Sequence, residues 1–150
     1  METPQLSSLY QQLILEHYRN PRNKAEMDEK TVEIHMANPV CGDEIRLQLR
    51  IEGDQIAEAK FVGQGCSISQ AAISMMTAKI QGASLSDAEG LAERFTALMH
   101  GDTEVAKDRS LGDLRALQGV SKFPVRIKCA LIGFDALQEA LKKHAAEGPH

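Results

Sequence analysis

Residues 45–62 read IRLQLRIEGDQIAEAKFV, in which apolar and polar residues alternate ahead of a Gly-Asp pair. This alternation is typical of a β-strand with one buried face. Gly53-Asp54 suits a tight hairpin turn, which predicts a second strand from about Gln55 to Val62. Upstream, Val32, Ile34 and Met36 alternate in the same way and predict a preceding strand. Three consecutive strands with short links predict a three-stranded antiparallel sheet.

Helices are predicted to cover the apolar face of this sheet. Apolar residues recur at helical spacing on both sides of the strand region, with start and stop signals at the expected places. The predicted boundaries are an end at Asn20-Pro21, a helix from Cys66 to Gly82, a start at Ser84, a capping box at Ser110–Asp113 and a start at Pro124. The fold class is therefore predicted to be α+β, a sheet covered by helices.

Composition fits one globular domain spanning residues 1–150, with 43% hydrophobic and 25% charged residues. The net charge of −4 and the lack of a basic block argue against nucleic acid as a partner. No apolar run approaches the roughly 18 residues needed to span a membrane. The polar, acidic start does not resemble a secretory signal. We therefore expect a cytoplasmic protein with neither a nucleic-acid nor a membrane partner.

The three cysteines each lie at a predicted element boundary. Cys41 precedes Gly42 and Asp43 in the loop between the first two strands, where a glycine turn can bring thiol and carboxylate together. Cys66 opens a helix, where backbone N–H groups favour a thiolate. Cys129 follows Arg126 and Lys128 near the start of the last helix, and their charges would also favour a thiolate.

Cys41, Asp43, Cys66 and Cys129 together provide four donors, the number and type that suit zinc. The alternative is that the thiols are unreactive core residues, since free cysteine is often buried simply as a small apolar side chain. No Cys-x-x-Cys pair is present to decide between the two interpretations on spacing.

Several segments resemble the IscU/SufU family of iron–sulfur cluster assembly proteins, and the similarity extends over nearly the whole chain. They are Leu9-Tyr10, His17–Pro21, Asn38–Asp43, Gly63–Ile68 and Lys128-Cys129. The resemblance implies an IscU/SufU-like fold, the fold of NifU N-terminal domains. Two departures point to the SufU branch. Lys128 stands where IscU-type proteins carry a ligand histidine, and the stretch between Cys66 and Cys129 is longer than in that type, with the extra segment within residues 83–120.

The SufU resemblance implies a zinc ion held by Cys41, Asp43, Cys66 and Cys129, with Arg126 and Lys128 as candidate neighbours of the site. It implies a SufS-type cysteine desulfurase, a pyridoxal-phosphate enzyme, as partner. Cys41 would accept persulfide sulfur and pass it to the downstream iron–sulfur assembly complex. Two alternatives stay open: a scaffold for a transient [2Fe–2S] cluster, and a structural zinc module that recruits partners. The second is disfavoured because structural zinc sites usually close with cysteine or histidine.

Overall fold

The computed structural model describes residues 8–147. The elements in chain order are α1 (Ser8–Arg19), β1 (Val32–Asn38), β2 (Asp43–Glu52), β3 (Gln55–Gln64), α2 (Ser67–Ile80), α3 (Leu85–Met99), a short 3-10 turn (Val105–Lys107), a 3-10 segment (Arg109–Lys122) and α4 (Pro124–Ala146). Leu9 and the residues that follow it fall in α1 as predicted, whereas residues 1–7 lie outside the described part of the chain.

The sheet is the predicted antiparallel meander, in the order β1-β2-β3. Leu47 on the central strand stands opposite Ile34 on β1 and Phe61 on β3. Gly53 makes the β2–β3 turn with a positive φ of 65°, a conformation that glycine adopts without steric cost. One face of β2 is fully buried through Ile45, Leu47 and Leu49. The alternation that predicted the strand therefore reflects a core face.

A polar cluster on β2 helps to fix the chain that leads from α1 into β1. The Gln48 side chain is fully buried, accepts a hydrogen bond from the Met27 N–H and donates to Glu26 and Glu33. Arg46 forms ion pairs with the same two carboxylates. Hydrogen bonds from Gln48, and then from Arg46, hold the pKa of both glutamates below the usual value.

Helices α2 and α4 pack closely together and determine where Cys129 lies. A Cβ atom on Gly133 of α4 would come within 2.6 Å of Cγ1 of Ile73 on α2, so only glycine permits this approach. One helical turn before Gly133, Cys129 is fully buried. Farther along α4, Phe134 stacks on Phe95 of α3 with ring centroids 4.5 Å apart.

The capping box predicted at Ser110–Asp113 is wrong. The segment is a 3-10 helix interrupted at Gly112, whose φ is 56°, and its first turn is capped instead by Asp108. Asp113 forms an ion pair with His17 Nε2 at 3.1 Å, while His17 Nδ1 contacts Ser74 Oγ at 2.8 Å. The Asp113 carboxylate, which the predicted capping box would have used at the helix start, is therefore engaged with His17 on α1.

Within residues 8–147, no helix is both long and apolar enough to cross a lipid bilayer.

Replacing Gly133 by alanine should destabilise the protein. Overpacking a core costs about 1–3 kcal/mol, more than the roughly 1 kcal/mol by which alanine favours a helix interior over glycine. Gly90→Ala is the matched control, because its added Cβ would meet only the flexible end of Arg94 at 3.3 Å. Urea unfolding should show lower stability for G133A and unchanged or higher stability for G90A. A G133A variant as stable as the wild type would contradict the close approach.

Candidate metal centre

The three predicted cysteines lie on three parts of the fold: the link between β1 and β2, the start of α2, and the second turn of α4. Cys41 lies in the β1–β2 link, where its N–H donates to the Asn38 carbonyl at 3.2 Å and the Asn38 amide donates to its sulfur at 3.5 Å. Gly42 has a φ of 71°, the left-handed turn expected from sequence. Cys41 as a whole residue is half-buried.

Asp43, the first residue of β2, is only 2% exposed. Its Oδ1 accepts hydrogen bonds from the Cys66 N–H and the Ser69 hydroxyl, both at 3.0 Å. Its Oδ2 is buried and has no hydrogen-bond partner among the described residues. Gly65 lines this carboxylate, because a Cβ there would overlap Asp43 Oδ1 and come within 2.6 Å of Ser69 Oγ.

The sulfur atoms of Cys41 and Cys129 are paired directly as a disulfide across a Cα–Cα distance of 6.5 Å. Both sulfurs also lie near the Val125 carbonyl, at 3.8 and 3.9 Å. One carboxylate oxygen of Asp43 and the two sulfurs all lie within 4.8 Å of one another. The structure therefore brings together three of the four predicted donors.

Cys66, the fourth predicted donor, is a free thiol immediately beside this group. It is the N-cap of α2, as expected for a cysteine that opens a helix, and its sulfur accepts the Ser69 N–H at 3.4 Å. Its contact with the group of three runs through its own backbone N–H to Asp43. The four-residue ligand set stays a prediction.

Arg126 and Lys128 are exposed on the first turns of α4. Among residues 8–147, neither side chain forms a hydrogen bond or an ion pair, so a role for either beside the cysteines stays a prediction. Two residues that do shape the site, Gly65 and Ser69, were not identified from sequence. The only available signal was their position around Cys66 in Gly65-Cys-Ser-Ile-Ser69.

The residues present fit a divalent metal ion once the disulfide is reduced. A buried oxygen without a donor, such as Asp43 Oδ2, costs about 1–3 kcal/mol, and a cation beside it would remove this cost. Reduction turns Cys41 and Cys129 into two thiols next to that carboxylate. Sulfur and oxygen donors at this spacing are the ligands that zinc accepts, and zinc and the disulfide exclude each other because both use the same sulfurs.

Known proteins of one kind match this chain over most of its length. The family described as the NifU-like N terminal domain matches residues 9–147. A Bacillus subtilis (strain 168) protein named zinc-dependent sulfurtransferase SufU is 47% identical and covers 92% of each chain. The iron–sulfur cluster assembly scaffold protein IscU of Streptococcus pyogenes serotype M1 is 37% identical over 97% of this chain and 90% of its own.

A solved structure agrees with these relatives. A Fervidobacterium islandicum AW-1 protein, described as a candidate iron–sulfur cluster assembly scaffold for the SUF system, superposes with a TM-score of 0.78 and 29% identity. The match covers 86% of this chain and 93% of that one.

Oxidation of the metal-free protein should join Cys41 to Cys129 and leave Cys66 as the one thiol open to alkylation. The reason is that the first two sulfurs are already paired, whereas Cys66 caps a helix. Diamide treatment followed by alkylation and peptide mass spectrometry identifies the bond. Cys66→Ser is the control and should give the same cross-link, while a product containing Cys66 would contradict this geometry.

Proposed function

Because the chain belongs to the NifU-like N-terminal domain family, we propose that it is a zinc-dependent sulfurtransferase of iron–sulfur cluster assembly, acting in the cytoplasm. The observation that carries the proposal is the buried carboxylate of Asp43, which has one unpartnered oxygen and lies beside the Cys41 and Cys129 sulfurs. The relative named a zinc-dependent sulfurtransferase, 47% identical over nearly the whole chain, supports the same conclusion.

In this proposal zinc is held by Cys41, Asp43, Cys66 and Cys129. Bound zinc would keep the cysteines deprotonated at neutral pH, and the thiolate is the form of cysteine that reacts with persulfides. Cys66 supplies the fourth donor from a position where the α2 N-terminus already favours negative charge. Lys128 and Arg126, one and three residues before Cys129, are the cations we assign to offset the negative charge of this set.

Cys41 is the residue we assign to sulfur transfer. Cys129 is fully buried, and Cys66, half-buried like Cys41, is engaged through its sulfur as the N-cap of α2. The Cys41 thiolate attacks the terminal sulfur of a persulfide on a SufS-type cysteine desulfurase, a pyridoxal-phosphate enzyme. A sulfur–sulfur bond forms on Cys41 as the partner's sulfur–sulfur bond breaks, and the electron pair leaves with the partner's thiolate. The sulfur then passes from Cys41 to the cluster-building machinery.

The surface around Cys41 supports docking of such a partner. Val40, Phe123 and Val125 are 78%, 44% and 64% exposed, and we call them the apolar rim. The contact of the Cys41 sulfur with the Val125 carbonyl places the rim beside the reactive atom. Exposed apolar side chains next to a reactive group are typical of a protein-binding surface.

A scaffold that builds a transient [2Fe–2S] cluster is the second candidate, favoured by the same cysteine-rich group and by the IscU relatives. Metal analysis after anaerobic purification separates the two. One zinc per chain is expected for sulfur transfer, whereas labile iron with equal sulfide would support the scaffold.

Sulfur transfer predicts that desulfurase and cysteine load one extra sulfur atom onto Cys41. Mass spectrometry of the reaction products should find a mass increase of one sulfur on the Cys41 peptide, and Cys41→Ser should reduce stimulation of the desulfurase to background. The control is Ser67→Ala, a variant of a half-buried residue outside the donor group. Sulfur located only on Cys66 or Cys129 would contradict the assignment.

Placing a charge on the apolar rim should weaken docking without affecting zinc. We expect Val125→Asp to raise the concentration needed for half-maximal desulfurase stimulation about tenfold, equivalent to about 1.4 kcal/mol. Leu15→Asp introduces the same charge at an exposed apolar position on α1 and is the control. Zinc content should stay at the wild-type level in both variants. Equal effects of the two substitutions on stimulation would rule out a specific docking role for the rim.

A further inference from the structure

We propose that Ser69 is a positioning residue that fixes the orientation of Asp43, so that one carboxylate oxygen is kept free for the metal. The proposal rests on the metal-binding part of the proposed function and is independent of sulfur transfer. Ser69 lies in the first turn of α2 and is fully buried. Its hydroxyl lies 3.0 Å from Asp43 Oδ1 and 3.1 Å from the Cys66 carbonyl.

The single hydroxyl proton of Ser69 is best used on Asp43. The Cys66 carbonyl already accepts the Gln70 N–H of the helix at 3.1 Å, so it does not depend on Ser69. The Gln70 side-chain amide, itself 3% exposed, approaches the Ser69 oxygen at 3.5 Å as a donor, which leaves the hydroxyl proton free to point elsewhere. A hydrogen bond to a charged carboxylate is roughly twice as strong as one between neutral groups.

The two oxygens of Asp43 are therefore unequal. Oδ1 receives two donors, the Cys66 N–H and the Ser69 hydroxyl, while Oδ2 receives none from the described residues. A 180° rotation of the carboxylate only exchanges two chemically equivalent oxygens and restores the same arrangement, whereas a tilt of the group away from the donors breaks both hydrogen bonds. Ser69 and the Cys66 backbone thus hold the carboxylate plane in place.

Gly65 reinforces this arrangement from the other side. A Cβ at Gly65 would overlap Asp43 Oδ1 and approach Ser69 Oγ to 2.6 Å, so the glycine leaves just enough room for the hydrogen bond between them. Polar groups that orient metal ligands typically change metal affinity 10–100-fold when they are removed. Ser69 fits that role, because its hydroxyl contacts the Asp43 carboxylate and not the sulfur of any cysteine.

The test is a double-mutant cycle on zinc affinity, measured in reduced protein by competition with a chromophoric chelator. Ser69→Ala should weaken zinc binding about tenfold in the wild-type background and have little further effect in an Asp43→Ala background, because Ser69 acts through Asp43. Gly65→Ala, which displaces the same carboxylate, should behave in the same way. Ser67→Ala, in the same helical turn, should leave affinity unchanged in both backgrounds.

Cobalt substitution gives a second readout. In S69A the d–d absorption bands of bound Co²⁺ should shift because the oxygen ligand is altered, while the sulfur-to-cobalt charge-transfer bands persist. Unchanged zinc affinity in S69A, or an equal loss in the wild-type and D43A backgrounds, would overturn the positioning role while leaving the proposed function intact. Failure of the wild-type protein to bind zinc would overturn both.

Discussion

The buried carboxylate of Asp43 is the interaction on which the site depends. Its hydrogen bonds with the Cys66 N–H and the Ser69 hydroxyl tie the first residue of β2 to the first turn of α2. A carboxylate that is 2% exposed is unfavourable unless its oxygens are satisfied. One oxygen is satisfied by the protein and the other has no partner among the described residues, and this imbalance is what suits the group to the metal-binding role proposed above.

Much of the fold could be predicted from sequence because its signals are local. Alternation along residues 45–51, the Gly53 turn, the serine cap at Ser84 and Pro124 at the start of α4 each act within a few residues, and each appears in the structure as expected. The segment at 109–122 could not be predicted in the same way. Its helical path is interrupted at Gly112, and Asp113 hydrogen-bonds with His17, 96 positions away, a contact that no local pattern reveals.

The candidate site was predictable to a similar extent. Cysteine and aspartate are recognisable ligand types, so Cys41, Asp43 and Cys129 could be identified before the structure brought them together. Ser69 and Gly65 carry no such chemical signature, and their importance comes from being packed against a carboxylate on another element. The direct pairing of Cys41 with Cys129, rather than with Cys66, depends on how α4 is placed beside the β1–β2 link and could not be derived from spacing.

The unequal exposure of Cys41 and Cys129 also bears on how other proteins can approach the site. Since Cys129 is fully buried and Cys41 is partly exposed, a large molecule would meet this pair on the side of Cys41. In the proposed function, the protein that gives sulfur to Cys41 and the protein that takes it away would therefore approach the same side of the site. Two large proteins on one side would exclude each other, so the proposed transfer would be a relay in which the chain leaves one protein before it meets the next.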